Sequence, residues 1–102
     1  MKECSAVLCY NDEVAYMLTE LCQAHRIRIP QDLSIVSIDN SRLTELNPVP
    51  LTSAAHPMEK LGEKVASNLL TLIRDPGYEA TFEFAPELAV RESAGRYRGS
   101  AR

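Results

Sequence analysis

The apolar positions change their spacing several times along the chain. Ser5 to Tyr10, SAVLCY, is a short continuous apolar run. Runs of that length suit a parallel strand covered on both faces. From Asp12 to His25 the rhythm turns helical. Val14, Met17, Leu18, Leu21 and Cys22 recur at spacings of three and four, opposite Glu13, Glu20 and Gln23. This predicts a helix that buries the first set and exposes the second. Asn11 or Asp12 is its natural N-cap, because either side chain can accept from the unpaired N–H groups of a first turn.

The next change comes in RIRIPQDLSIVSIDNS. Pro30 disfavours helix at Ile29, so IPQD reads as a loop. Ser34 to Asp39 then predicts a second strand, and strand, helix, strand with short connections makes a βαβ unit. Asn40 to Pro50 holds two prolines and no clear period, which predicts a long loop. Leu51 to Ala55 reads as a short strand or an extended crossing segment. A second helix is predicted from Pro57 to Asp75, with Pro57 at its first position. Its stripe is Met58, Leu61, Val65, Leu69, Leu72 and Ile73, and Asp75-Pro76-Gly77 stops it. TFEFAPELAVRES alternates in two short pieces separated by Pro86. The pattern is that of an α/β protein with a parallel βαβ core. One domain spans residues 1–93, followed by a flexible basic tail, 94–102.

Composition narrows the picture without redirecting it. The chain has 102 residues, enough for one small core. No stretch approaches the roughly 18 apolar residues of a membrane span. Eleven Lys+Arg against fourteen Asp+Glu leave a net charge of -3, which argues against a dedicated nucleic-acid binder. Arg91, Arg96, Arg98 and Arg102 would give at most a salt-sensitive attraction to phosphate. The three cysteines, Cys4, Cys9 and Cys22, are an odd and sparse set that points to reduced thiols in the cytoplasm. Cys22 and His25 sit three apart on the predicted helix, near Cys9 in sequence. Without a Cys-x-x-Cys motif they read as buried cysteine and not as a metal site. No metal ligand and no cofactor is expected.

Candidate chemistry gathers at strand ends. In open parallel sheets, ligands bind beyond the carboxyl ends of the strands. Asn11, Asp12 and Asp39 stand at two such ends of one βαβ unit, so they face one crevice. Asn offers donors and an acceptor, ionised Asp acceptors only, a mixture suited to a hydroxyl-rich ligand. The plainer reading has Asn11 or Asp12 capping the helix and Asp39 starting a turn, and spacing alone favours it. A phosphoacceptor or hydrolase using Asp39 is a second reading. It needs a Mg²⁺-binding acidic pair, for which Asp12 is available, and a Lys or Thr at later strand ends. Lys60 and Lys64 fall on a helix instead, and there is no G-x-S-x-G. Cys9, His25 and Asp39 do not form a set, because His25 lies at the far end of its helix, roughly 20 Å from Asn11. No catalytic residue is assigned. A purely structural association module is a third reading.

LCYNDEVAYMLTEL, RIPQDLSIVSIDNS, LTSAAHPMEKLGEKVASNLL and FAPELAVRES, in that order, resemble the C-terminal part of the lactose-repressor family of sugar-responsive bacterial regulators. The family pattern has Asn-Asp ending a strand and Pro-x-Asp-(Leu/Ile)-Ser-(Ile/Val)-Val leading into the next. An Asp follows that strand, and Leu-Thr, a helix with Leu-Gly, and (Val/Leu)-x-Arg-x-Ser come after. The resemblance runs from Ser5 to Ser93. CYND and the His-Pro before the second helix look most similar to the arabinose-repressor branch, whose sensor is joined to a different type of DNA-binding domain. The resemblance implies a partial periplasmic-binding-protein-like (type I) sensor lobe with one crossover helix. It implies that Asn11 and Asp39 hydrogen-bond the effector, with Asp12 a weaker candidate. Ser37 departs from the pattern, where a glycine is usual, and Ile38 stands where an aromatic is usual. Effector identity is therefore not carried over.

The resemblance also implies what the chain does not span: the DNA-binding domain, the first sensor lobe and the first part of the second. The expected function is sugar-effector binding and dimerisation in a cytoplasmic regulator. Specific DNA binding by this chain alone and membrane association are not expected. Family helices matching Pro57–Arg74 pack on the first lobe. Burial of Leu61, Val65, Leu69, Leu72 and Ile73 would stabilise by about 7–15 kcal/mol at most. Such a stripe needs a partner, which predicts a homodimer, with exchange of the second helix between copies as a variant.

Overall fold

The structure, a computed structural model, describes residues 4–97. Its elements are β1 (Ala6–Leu8), α1 (Asp12–Ala24), β2 (Ser34–Asp39), α2 (Leu43–Leu46), β3 (Thr52–Ala55), α3 (Met58–Arg74) and β4 (Glu87–Ala89). The strands form one sheet in the order β1-β2-β3-β4. β1 runs parallel to β2 with Leu8 beside Val36, and β2 runs parallel to β3 with Ser37 beside Ser53. The α/β architecture with a parallel βαβ core is the one the hydrophobic pattern predicts. The chain divides into two compact units, Met1–Ala55 with Leu88–Arg102, and His56–Glu87.

The core of the first unit is Cys9, Ala15, Cys22, Leu33, Ile35 and Leu51. α1 buries only part of the stripe expected of it: Cys22 is buried and Leu18 packs against the core. Its buried residues are Asp12, Ala15, Thr19 and Cys22, whereas Val14, Met17 and Leu21 are exposed. Both sets have helical spacing, so period alone leaves the choice of face open. Small side chains settle it: Ala15 and Thr19 have no exposed surface at all. The Thr19 hydroxyl donates to the Ala15 carbonyl at 2.8 Å, which removes the cost of burying it. The helix ends in a Schellman turn. Arg26 takes positive φ (58°), and the Ile27 N–H returns to the Cys22 carbonyl at 2.8 Å.

β1 is not covered on both faces. Val7 packs against the core, but Ala6 and Leu8, on the opposite face, are exposed. The predicted loop from Asn40 to Pro50 contains one helical turn, α2. A four-residue element is too short to show a period. Its buried polar side chains hold it instead. Thr44 Oγ1 donates to the Ser41 carbonyl, and Asn47 Nδ2 donates to Thr19 Oγ1 and the Val49 carbonyl.

In the second unit, α3 begins at Met58, with Pro57 as its N-cap and not its first residue. Its one buried residue is Asn68, whose Oδ1 accepts from the Tyr78 hydroxyl at 3.0 Å. Val65, Leu69 and Ile73 are exposed. Asp75 stops the helix and accepts the Gly77 N–H. Of the two alternating pieces around Pro86, only the second supplies a strand, β4. In the first, Phe82 and Phe84 stack on one another, their centroids 5.9 Å apart. Of the basic tail, Arg98–Arg102 lies outside the described residues. Within its described part, the Gly95 N–H donates to Ser34 Oγ at 3.0 Å.

Candidate functional site

Asn11 follows β1 and precedes α1 in extended conformation, φ -153°. Its Oδ1 accepts the Val14 N–H at 2.9 Å, so Asn11 is the N-cap. That bond also fixes the orientation of the amide, because only the oxygen can accept. The Nδ2 group has no hydrogen-bond partner among the described residues. Asn11 therefore presents a donor at the strand end.

Asp12 is not the cap. It is buried, 2% exposed, and both carboxylate oxygens are occupied from within the chain. Oδ1 accepts from Ser37 Oγ at 2.6 Å and from Ser53 Oγ at 2.9 Å. Oδ2 accepts from the N–H of Ser41 and from its hydroxyl at 2.7 Å. Burial pushes the Asp12 carboxyl up, but the donations from Ser37, Ser41 and Ser53 outweigh it and hold the group below its ordinary value. The acidic partner that a Mg²⁺-dependent reading needs beside Asp39 is thus engaged with serines.

Asp39 ends β2 and is exposed. Its φ is 121°, followed by Asn40 at 59°. Asparagine tolerates such a value, but a non-glycine residue near 120° is strained. The surroundings hold the turn from several sides. The Asn40 N–H donates to Ser53 Oγ at 3.0 Å. Asn40 Oδ1 accepts from Arg91 Nη2 at 2.8 Å, while Arg91 Nη1 reaches the Leu51 carbonyl at 2.8 Å. Arg91 is therefore engaged at the end of the sheet and does not stand free in a basic tail. Ser93 adds a further clasp: its hydroxyl accepts from the Thr52 N–H and donates to the Ile35 carbonyl.

Sequence reasoning places Asn11, Asp12 and Asp39 at the strand ends, and the structure finds them there. It misses Asn40, Ser41 and Ser53. Ser37 is flagged only as a departure from a glycine that could reshape a pocket. In the structure it is buried against Asp12. No sequence signal pointed to these residues: the pairing of β2 with β3 brings Ser37 and Ser53 side by side, and both donate to Asp12. Cys9 and Cys22 are free, buried thiols; burial raises both, and for Cys9 the neighbouring Cys22 adds to it.

Residues 2–94 match the model of the periplasmic binding protein-like domain. The chain is 37% identical over 90 residues to the HTH-type transcriptional repressor PurR of Vibrio vulnificus (strain CMCP6), covering 87% of this chain and 27% of the repressor. It is 33% identical over 91 residues to an arabinose metabolism transcriptional repressor of Geobacillus stearothermophilus, covering 87% of this chain and 25% of that protein. The chain spans about a quarter of the length of the curated relatives it matches. Among solved structures, it is similar to the transcriptional regulator CelR in complex with cellobiose. That match has a TM-score of 0.80 and 28% identity, over 88% of this chain and 28% of the other. A LacI family transcriptional regulator from Enterococcus faecium with bound ribose matches with a TM-score of 0.76 and 30% identity, over 92% and 35%.

Proposed function

The chain belongs to the periplasmic binding protein-like domain family, and from that premise we propose that it is the sugar-effector-binding and dimerisation portion of a lactose-repressor-type transcription regulator. It performs no chemistry and works in the cytoplasm. The observation that carries the reading is Asp39. An exposed carboxylate stands on strained backbone at the carboxyl end of a central strand, the place where parallel sheets bind ligands. Asn11 Nδ2 supplies a donor at the neighbouring strand end. One donor and one acceptor match a sugar hydroxyl. Similar proteins bound to cellobiose and ribose support a sugar. With the site shared between two lobes, this chain alone binds weakly.

The exposed Val14, Met17 and Leu21 on α1, with Leu46 on α2, support pairing of two copies through this side. Exchange of α3 between copies is the variant that its own exposed stripe favours. Sequence-specific DNA binding is not a property of this chain: its net charge is -3 and Arg91 is engaged internally.

NMR titration of the chain with ribose, arabinose, cellobiose and, as a contrast, adenine tests the site. A sugar should shift the Asn11 side-chain amide and the Asp39 and Asn40 backbone amides, at millimolar concentration or above. Asn11→Asp separates capping from binding. Aspartate caps a helix as well as asparagine does, so melting stays within about 0.5 kcal/mol, while the sugar-induced shifts vanish with the donor. Equal shifts in the Asn11→Asp variant, or no sugar response at these residues, would overturn the assignment.

A further inference from the structure

We infer that Asp12 is a positioning residue for the effector-binding turn: its buried carboxylate, reached through Ser37, Ser41 and Ser53, holds Asp39 and Asn40 in their positive-φ conformations. The inference rests on the reading of Asp39 as the effector's acceptor. Two consecutive residues at positive φ reverse the chain immediately after β2. An aspartate at φ 121° has a Cβ and carries a steric cost there. The turn is held by its surroundings: Arg91 reaches Asn40 Oδ1, and the other holders converge on one group. Ser37, two residues before Asp39, donates to Asp12 Oδ1. Ser41, two residues after it, donates twice to Asp12 Oδ2. Between them, the Asn40 N–H donates to Ser53 Oγ, whose own proton goes to Asp12 Oδ1.

The chemistry demands an ionised carboxylate. Four donors point at two oxygens, and a deprotonated acid accepts on both without adding a donor of its own among them. An amide of the same shape has one accepting oxygen. Its NH2 group would face the Ser41 N–H, donor against donor, or the two serine hydroxyls if turned round. The Ser53 proton would then turn away, and with it the lone pair that receives Asn40. Asp12 lies on α1, Ser53 on β3 and the turn at the end of β2, so one carboxylate ties three elements to the geometry of Asp39.

The test is amide hydrogen exchange and NMR of the whole chain, with Asp12→Asn as first variant. The amides of Asn40 and Ser41 should exchange about tenfold faster or more. The Asp39 and Asn40 couplings characteristic of positive φ should be lost. Amides of Cys22 and Gln23, at the other end of α1, should keep their positions. Ser53→Ala is the second variant and answers if the first unfolds. It should release Asn40 alone and leave the Ser41 amide protected. Unchanged couplings and exchange at Asp39 and Asn40 in either folded variant would overturn the inference. These readouts need no ligand. A wild-type chain blind to ribose, arabinose and cellobiose would therefore sink the effector reading while the positioning result stood or fell by itself.

Discussion

α1 and α3 look alike as sequences and differ as structures. Both carry apolar residues at helical spacing. α3 has the fuller stripe, yet Val65, Leu69 and Ile73 remain exposed on it, Leu61 and Leu72 are half-buried, and Asn68 alone is buried. α1 shows its larger apolar residues to solvent and buries Asp12, Ala15, Thr19 and Cys22. The contrast separates two meanings of an amphipathic helix. On α1 the contact is with the sheet of its own unit, where small residues allow close approach and a buried acid finds donors. On α3 three large residues of the stripe remain in contact with solvent.

The strongest test of this contrast is a pair of truncations. Ile35→Ala, beneath α1, should cost about 2–5 kcal/mol, because it opens a cavity in a closed core. Leu69→Ala on α3 should change the stability of a dilute chain by less than about 0.5 kcal/mol. Chemical denaturation reads both, and equal losses would mean that the α3 stripe is as well packed as the core. A smaller effect is expected from acid. The folded Asp12 carboxyl is held below its ordinary value, so its contribution is complete above the unfolded value, near pH 4. The contribution disappears as pH falls through the lower folded value. Melting followed as pH falls from about 5 to well below 4 should therefore show a loss of stability that Asp12→Asn lacks. Smallest in stability, but informative about partners, is Leu69→Glu. It should leave the melting of a dilute sample unchanged and weaken self-association in sedimentation at high concentration. Unaltered association would exclude the stripe from the dimer contact and leave the Val14, Met17 and Leu21 face of α1.

Much of this was legible in the sequence, for identifiable reasons. β2 was readable to the residue, because a β-branched run is bounded by Leu33 and by the polar Asp39-Asn40. α1 was readable in extent, because Asn11 announces its start. The face it buries was legible only in part: Leu18 and Cys22 stood in the expected stripe, but Ala15 and Thr19 carry little hydrophobic signal while the exposed Val14, Met17 and Leu21 carry much. Asn11 and Asp39 drew notice at strand ends, where spacing alone favoured a cap and a turn; it was the resemblance to the lactose-repressor family that singled them out as effector ligands. The partners of Asp12 were not singled out. Ser37, Ser41 and Ser53 lie 25, 29 and 41 residues away along the chain, and no local pattern links a carboxylate to such distant hydroxyls.

The first unit is discontinuous in sequence. Arg91 and Ser93 return to Leu51, Thr52 and Asn40 after the chain has made the whole of His56–Glu87. During vectorial synthesis, β1, α1, β2 and β3 emerge first and must wait for the clasp that completes them. The wait costs little at equilibrium. Closing a loop becomes harder only logarithmically with its length, about 0.6 kcal/mol for each doubling. It costs more in time, because contacts between distant residues form slowly. Shortening His56–Glu87 should therefore speed the maturation of the strand-end site far more than it stabilises it. By the same logarithm, a longer or shorter inserted unit should change little at the turn that carries Asp39.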